Sequence, residues 1–451
     1  MSPLRQSLID LITDPDHAYN LAPAELRNRQ MAAVAELVRE RVGQIPLLAR
    51  RADEACVRDV QRLDDLVPLL FAHTVYKSYP PAFVEQGRWD KLLRWLQALS
   101  VSDVSNVDVR GVNDVDDWIE RLWAAGHRVL ATSGSSGKCS FLNHTTGDSE
   151  LKQRHFKYTV GWPYLRANAD RTVFFLGPMK GANSAVEAAN FNAINFGRPG
   201  HVHALTDKPL RIADVSRLAA LNRKMADGTA LPHEISDLQR QAAAAVAGNR
   251  DALLKLADQI LDLRHEPIIV SGLWAQHMAI IEHARRRGIL DGDFHPQSMV
   301  AAGGGVKNVK LPDDYREQVD RFYGKVIRPA AYGMTEIASL MPRCEAGRYH
   351  CPPSLIWLIL DQTGERLLTE ADAVNGIVVG RFGFVDLIYE GRWGGVITGD
   401  KVTMDLKSPC VCGRYGPTLQ DNITRWAQPG EDDHIGCAGT IDSYVRGVVE
   451  A

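Results

Sequence analysis

The sequence predicts an α/β protein with a smaller β-rich part toward its C-terminal end. Three observations carry this. Short apolar strands alternate with amphipathic helices between about 128 and 330; those strands repeatedly run into glycine-rich turns; and from 355 onward strand patterns dominate.

In order, residues 1–65 read as helices, since RNRQMAAVAELVRERV places apolar residues at helical spacing. Residues 66–100 read as a Pro-broken connection and then an amphipathic helix. HRVLATSGSSGK reads as a strand entering a Gly/Ser loop, and TVFFLGPMKG and HVHAL as buried strands. Residues 207–265, rich in Ala, Leu, Arg and Asp, read as a helical insertion. PIIVSG is a strand and WAQHMAIIEHARRRG a helix ending at Gly. SMVAAGGG and KVIRPAAYG repeat the strand-then-glycine theme, and LIWLILD, GIVVGRF, VDLIYE and GGVITGD read as the final strands. No internal repeat or low-complexity tract is present.

With 451 residues, 52 Lys+Arg and 55 Asp+Glu, the net charge is −3, which argues against a nucleic-acid binder working by bulk charge. No apolar run approaches the ~18 residues of a membrane span. The N-terminal MSPLRQSLIDLITDPDH has acids and no apolar core, so it is not read as a secretory signal, and the cytoplasm is the expected compartment. Seven cysteines, an odd count in a long chain, do not make a disulfide framework.

Three motifs carry chemistry. Thr132-Ser133-Gly134-Ser135-Ser136-Gly137-Lys138 combines hydroxyls, glycines and a cation, the makings of a phosphate cradle, though not with Walker A spacing. Tyr332-Gly333-Met334-Thr335-Glu336 offers a ring to stack on a base, a hydroxyl for phosphate and a carboxylate for Mg²⁺. Thr398-Gly399-Asp400 places a carboxylate where ribose hydroxyls could be met. Each alone reads equally as an ordinary turn or strand end.

Together and in this order the motifs resemble those of the adenylate-forming superfamily of acyl-CoA synthetases, adenylation domains and luciferases, over roughly residues 66–435. Gly303-Gly304-Gly305 is similar to the family's adenine-side glycine segment. FAHTVYKSYP (71–80) and Cys410-Val411-Cys412-Gly413-Arg414 resemble the phenylacetate–CoA ligase branch, with the acyl-protein synthetases of bacterial luminescence close by. The resemblance implies a large adenylate-forming N-terminal domain, 1–408, of stacked αβαβα sheets with a small β subdomain, followed by a Cys-rich segment and hinge remnant, 409–451. It implies attack of a carboxylate on the α-phosphorus of ATP. Thr132 to Lys138 would hold the β- and γ-phosphates, Tyr332 would flank the adenine, Gly333 beside it would belong to the nucleotide-binding set, Thr335 would bind the α-phosphate, Glu336 would help hold Mg²⁺, and Asp400 would bind the ribose. Thr335, Glu336 and Lys138 are the expected catalytic residues.

The acid pocket is expected near Phe174, Phe175, Lys180, Asn183, Trp274 and His277, each of which equally suits a core or helix-face role. Cys344, Cys410 and Cys412, with His350 or Cys351 as the fourth ligand, fit a closed structural Zn²⁺ site; reduced buried cysteines are the plainer reading.

Glu431-Asp432-Asp433 is similar to the family's hinge acid, but 18 residues follow Asp433 and no Lys occurs after Lys407. The C-terminal domain and its catalytic Lys are therefore expected to be largely absent. The adenylate is expected to pass to CoA, a carrier protein or a small nucleophile, with a second chain as one source of the missing domain. A loose resemblance to enzymes that activate nitrite to diazotise an aryl amine, and a non-catalytic nucleotide-binding relative, are the alternatives.

Overall fold

The computed structural model describes residues 1–132, 138–303, 310–427 and 435, with the side chains of these other than 238 and 241–247. The chain divides into two compact units. One comprises Met1–Thr132, Lys138–Pro163 and Ala331–Ala451; the other is centred on Tyr164–Ala330.

The first unit is built on a seven-stranded sheet. Its path runs Arg348–His350, Thr418–Gln420, Gly395–Asp405, Ile377–Asp386, Leu355–Leu360, and Phe71–Ala72 and Thr424–Arg425 also pair with Gly395–Asp405. The pairing is antiparallel except at Phe71–Ala72. Leu355–Leu360 is buried at every position, so the strand reads as a continuous apolar run instead of an alternating one. Strands 418–420 and 424–425 join the same sheet as 395–405, so the described part of 409–451 belongs to this unit and the division does not fall at 408.

Helices Pro3–Asp10, Pro23–Val42 and Pro46–Glu54 each begin with proline, whose fixed φ and missing N–H suit the first helical position. Their anchoring is polar as well as apolar. The buried Arg5 donates to the Leu387 and Tyr389 carbonyls and pairs with Glu390 at 2.5 Å, while Arg41 lies 3.3 Å from the same carboxylate. The Gln30 amide donates to the Pro353 and Leu355 carbonyls. Expected strand VDLIYE stops at Asp386, because the Asp386 carboxylate turns onto the amides of Ala338, Ser339 and Ile388.

The second unit holds a four-stranded parallel sheet in the order Gly197–Thr206, Arg171–Pro178, Ile268–Leu273, Met299–Gly303. Helices Ser184–Phe196, Trp274–Arg286 and Tyr315–Tyr323 accompany it. Segment 207–265 is helical, as Ile212–Ala226 and Pro232–Asp262. Its last turns are not an appendage: Leu253, Leu256, Ala257, Ile260 and Leu261 join the core formed with Phe174, Ile268 and Val270. The expected strand KVIRPAAYG reduces to Ala331–Tyr332 and one bridge from Ile327 to Met299; Pro329, lacking an N–H, interrupts the ladder.

Candidate functional site

Three of the nucleotide-motif residues meet in the first unit. Tyr332 ends a two-residue strand and Asp400 sits inside the long strand Gly395–Asp405. The Tyr332 hydroxyl donates to Asp400 Oδ2 at 2.6 Å, and Arg425 Nε lies 2.9 Å from Asp400 Oδ1. The strand positions Asp400 firmly: its own N–H donates to Thr398 Oγ1, which donates to the Phe382 carbonyl. A carboxylate has about four lone-pair sites, so each oxygen still has room for one further donor. Burial, and then the Asp400 charge, push the Tyr332 hydroxyl well above its ordinary pKa, so it stays a donor.

Glu336 is buried, and burial raises its pKa above the ordinary carboxylate value; the charges of Arg392 and Arg425 work in the other direction. A buried carboxylate near two cations is the kind of group a hard divalent cation would neutralise. Its backbone is clamped from two sides. Arg392, itself buried, donates from Nη2 to the Glu336 carbonyl at 2.6 Å and from Nη1 to the Tyr76 hydroxyl, with its guanidinium 3.6 Å from the Tyr389 ring centre. Asp386 accepts from the amides of Ala338 and Ser339, just past Glu336. A Cβ at Gly333 would meet the tip of the Leu340 side chain, which would have to shift. Thr335 is half-buried in the same turn.

Of the hydroxyl-rich loop, Ser133 to Gly137 lie outside the described residues. The two ends are seen. Thr132 closes the neck of a hairpin: its N–H donates to the Ser140 carbonyl and its Oγ1 accepts from the Ser140 N–H. Lys138 Nζ donates to the Tyr79 carbonyl at 2.6 Å and lies 4.9 Å from the Tyr79 ring centre, while the Tyr79 hydroxyl donates to the Cys139 carbonyl. The FAHTVYKSYP segment thus packs on the foot of this loop.

The cysteine motifs meet as well. The ligand atoms of Cys344, His350, Cys410 and Cys412 all lie within 4.8 Å of one another, with Cys412 Sγ 3.4 Å from His350 Nε2. Two similar turns present the thiols. Cys344 N–H donates to the Arg348 carbonyl and Gly347 N–H to the Cys344 carbonyl; Cys410 N–H donates to the Arg414 carbonyl and Gly413 N–H to the Cys410 carbonyl. Gly347 and Gly413 have φ of 72° and 87°, which favours glycine. A tetrahedral ion with Zn–S near 2.3 Å and Zn–N near 2.0 Å requires ligand–ligand edges of about 3.5–3.8 Å, which this cluster approaches. Burial brings His350 down to about 4, leaving the neutral imidazole a metal needs, and brings the Cys344 thiol up to about 12. Cys351 is not part of the cluster: its thiol donates to the Leu355 carbonyl at 3.1 Å, so of the two proposed fourth ligands His350 is the one placed there.

The second unit contains the expected acid-pocket residues. Phe174 is fully buried in the core and stacks on His203 at 5.0 Å. Asn183 caps helix Ser184–Phe196 by accepting from the Ala185 N–H. His277 is buried and hydrogen-bonded to the Tyr323 hydroxyl at 2.9 Å, and burial lowers it to about 3. These three have structural uses. Phe175 is half-buried, Lys180 is exposed, and Trp274 packs edge-on against Tyr315 at 5.3 Å. Gly303 ends the strand Met299–Gly303; Gly304 and Gly305, like Glu431 to Asp433, lie outside the described residues. Sequence reading missed Arg392, Asp386 and the site role of Arg425. None belongs to a motif, and it is the sheet pairing of Asp400 with Arg425 and the ion pair between them that show the last.

No family model matches the chain, and no curated protein does. Solved structures do. An open conformation of 2-hydroxyisobutyryl-CoA ligase, in complex with 2-HIB-AMP and CoA, superposes with a TM-score of 0.56 at 12% identity, covering 90% of this chain and 76% of that one. A double mutant of o-succinylbenzoate CoA synthetase from Bacillus subtilis, bound with its product analogue OSB-NCoA, gives a TM-score of 0.33 at 14% identity, covering 65% of this chain and 48% of that one. Over nine-tenths of its length the chain shares the fold of the first of these, a CoA ligase.

Proposed function

We propose that this protein activates a carboxylic acid, aryl or fatty, with ATP, forming an acyl-adenylate and pyrophosphate for transfer to CoA, a carrier protein or a small nucleophile. The observation that carries the reading is the cluster of Tyr332, Glu336 and Asp400 in a chain of this fold.

In the reaction a carboxylate oxygen attacks the α-phosphorus, and the bond from that phosphorus to the α,β-bridging oxygen breaks as pyrophosphate leaves. The difficulty is the approach of two anions, so the site must concentrate positive charge and donors without letting water in. Asp400 would accept from the ribose hydroxyls, its remaining lone pairs supplementing the Tyr332 and Arg425 contacts. The Tyr332 ring, 5.4 Å from Phe382, would bound the adenine. Thr335 would donate to the α-phosphate, and Lys138 with the loop before it would hold the outer phosphates. Glu336 would hold Mg²⁺, which supplies neutralisation of the phosphate oxygens. Arg392 and Asp386 fix the Glu336 turn from behind, so the carboxylate need not reorganise when ATP arrives. The Cys344, His350, Cys410 and Cys412 cluster would hold a structural Zn²⁺, since four protein ligands leave no open position.

The test is ATP turnover by the purified chain offered aryl and fatty acids, with AMP separated from ADP. AMP and pyrophosphate released with one acid support the reading. Tight ATP binding without AMP, across the panel, would favour a nucleotide-binding role.

A further inference from the structure

A cavity of about 140 Å³ lies in the first unit, lined by residues outside the Tyr332–Glu336 turn, between the start of helix Pro23–Val42 and the turns around Cys351 and Tyr415. Three polar groups on its lining residues have no hydrogen-bond partner among the described residues: the Tyr19 hydroxyl, the Trp357 indole N–H and Nη1 of Arg27. Tyr19 is 3% and Trp357 5% exposed, so bulk water does not serve them. Buried donors left unpaired cost roughly 1–3 kcal/mol each, and such groups call for an explanation.

The chemistry of the lining points one way. Among the described residues no Asp or Glu lines the cavity, so the Arg27 guanidinium is the one formal charge they place there. The Gln30 amide nitrogen is engaged on the Pro353 and Leu355 carbonyls and the Cys351 thiol on the Leu355 carbonyl, while Tyr415 is an exposed residue at the rim. What remains open is a set of donors, one of them cationic, facing an apolar half made by residues such as Leu21, Leu26 and Pro417. An anion satisfies the donors, and a short apolar tail satisfies the rest. A cavity of about 150 Å³ holds benzene, so there is room for about six heavy atoms.

We propose that this cavity is a binding site for a short monocarboxylate, distinct from the nucleotide site, with Arg27 as the charge partner and Tyr19 and Trp357 as neutral donors. A fully oxygenated anion such as phosphate has no apolar part to cover Leu21 and Leu26, so the site favours the carboxylate.

The experiment is calorimetric titration of the full chain with butyrate and, separately, with inorganic phosphate, on the wild type, Arg27→Gln and Tyr19→Phe. Wild type is expected to bind one equivalent of butyrate more tightly than phosphate. Arg27→Gln is expected to weaken butyrate about tenfold or more, since a hydrogen bond to a charged group is lost. Tyr19→Phe keeps the ring and is expected to weaken it by a smaller factor, which keeps the test decisive even where the Arg27 variant misfolds. Butyrate bound equally by wild type and a folded variant would place binding elsewhere, in the activated acid's own site for example, and overturn the proposal. So would the absence of butyrate binding at millimolar concentration, or phosphate binding more tightly through Arg27.

Discussion

At Glu336 the two demands on a side chain conflict. Burial holds its pKa above the ordinary value, which makes ionisation harder than in a free carboxyl, while the proposed chemistry uses the carboxylate. The sign follows from linkage. A carboxyl with a raised folded-state pKa binds protons more tightly in the native state, so its contribution to stability falls as pH rises from the ordinary carboxylate range through the raised value. Glu336→Gln is therefore expected to melt no lower than wild type at neutral pH, to retain ATP binding, and to lose about 100-fold or more in adenylation rate. A lower melting temperature with unchanged turnover would contradict both halves. Arg425→Ala, which removes an exposed partner from Asp400, is expected to raise the ATP concentration needed for half-maximal rate with little change in stability. Glu336 and Asp400 were legible as motif residues. Arg392 and Asp386 were not, because their work is hydrogen bonding across 48 and more positions of sequence, and no local pattern encodes it.

The elements around the cysteines set the next scale. Two turns of the same build, each ending in a glycine at positive φ, bring thiols from Cys344 and Cys410–Cys412 together, and His350 on the strand Arg348–His350 completes the set. The purified protein is expected to contain about one zinc per chain, as one four-ligand site implies. Cys412→Ser is expected to lose the metal and lower the melting temperature, whereas Cys351→Ser keeps it; metal analysis of the two variants decides between His350 and Cys351. The spacing made a metal cluster readable from sequence and left the fourth ligand open. His350 and Cys351 are adjacent and point to different partners, which only the strand's alternation resolves. The Asn183 cap and the His277–Tyr323 pair show the opposite case: residues that read as pocket candidates are spent on local structure.

For the whole molecule, the buried histidines dictate the response to acid. Burial lowers His155 to about 4 and His277 to about 3, and takes His144 well below its ordinary value. In the unfolded chain all three titrate near 6.5, so the unfolded state binds protons first as pH falls. Stability is expected to be fully present above pH 6.5 and to drop steadily below it; a melting temperature flat between pH 7 and 4.5 would contradict this. The order of strands and helices along the chain, and the helical character of 207–265, were legible because periodicity is local. The packing of Leu253 to Leu261 into the sheet core, and the membership of 418–425 in the long sheet, depend on distant partners and were not. The central claim concerns the chemistry that this fold supports, and the most direct measurement of it is the product of ATP turnover. With ATP, Mg²⁺ and the right acid, the account predicts AMP and pyrophosphate in equal amounts, lost in Glu336→Gln. ADP and phosphate as the products, or AMP formed equally well by Glu336→Gln, would contradict it.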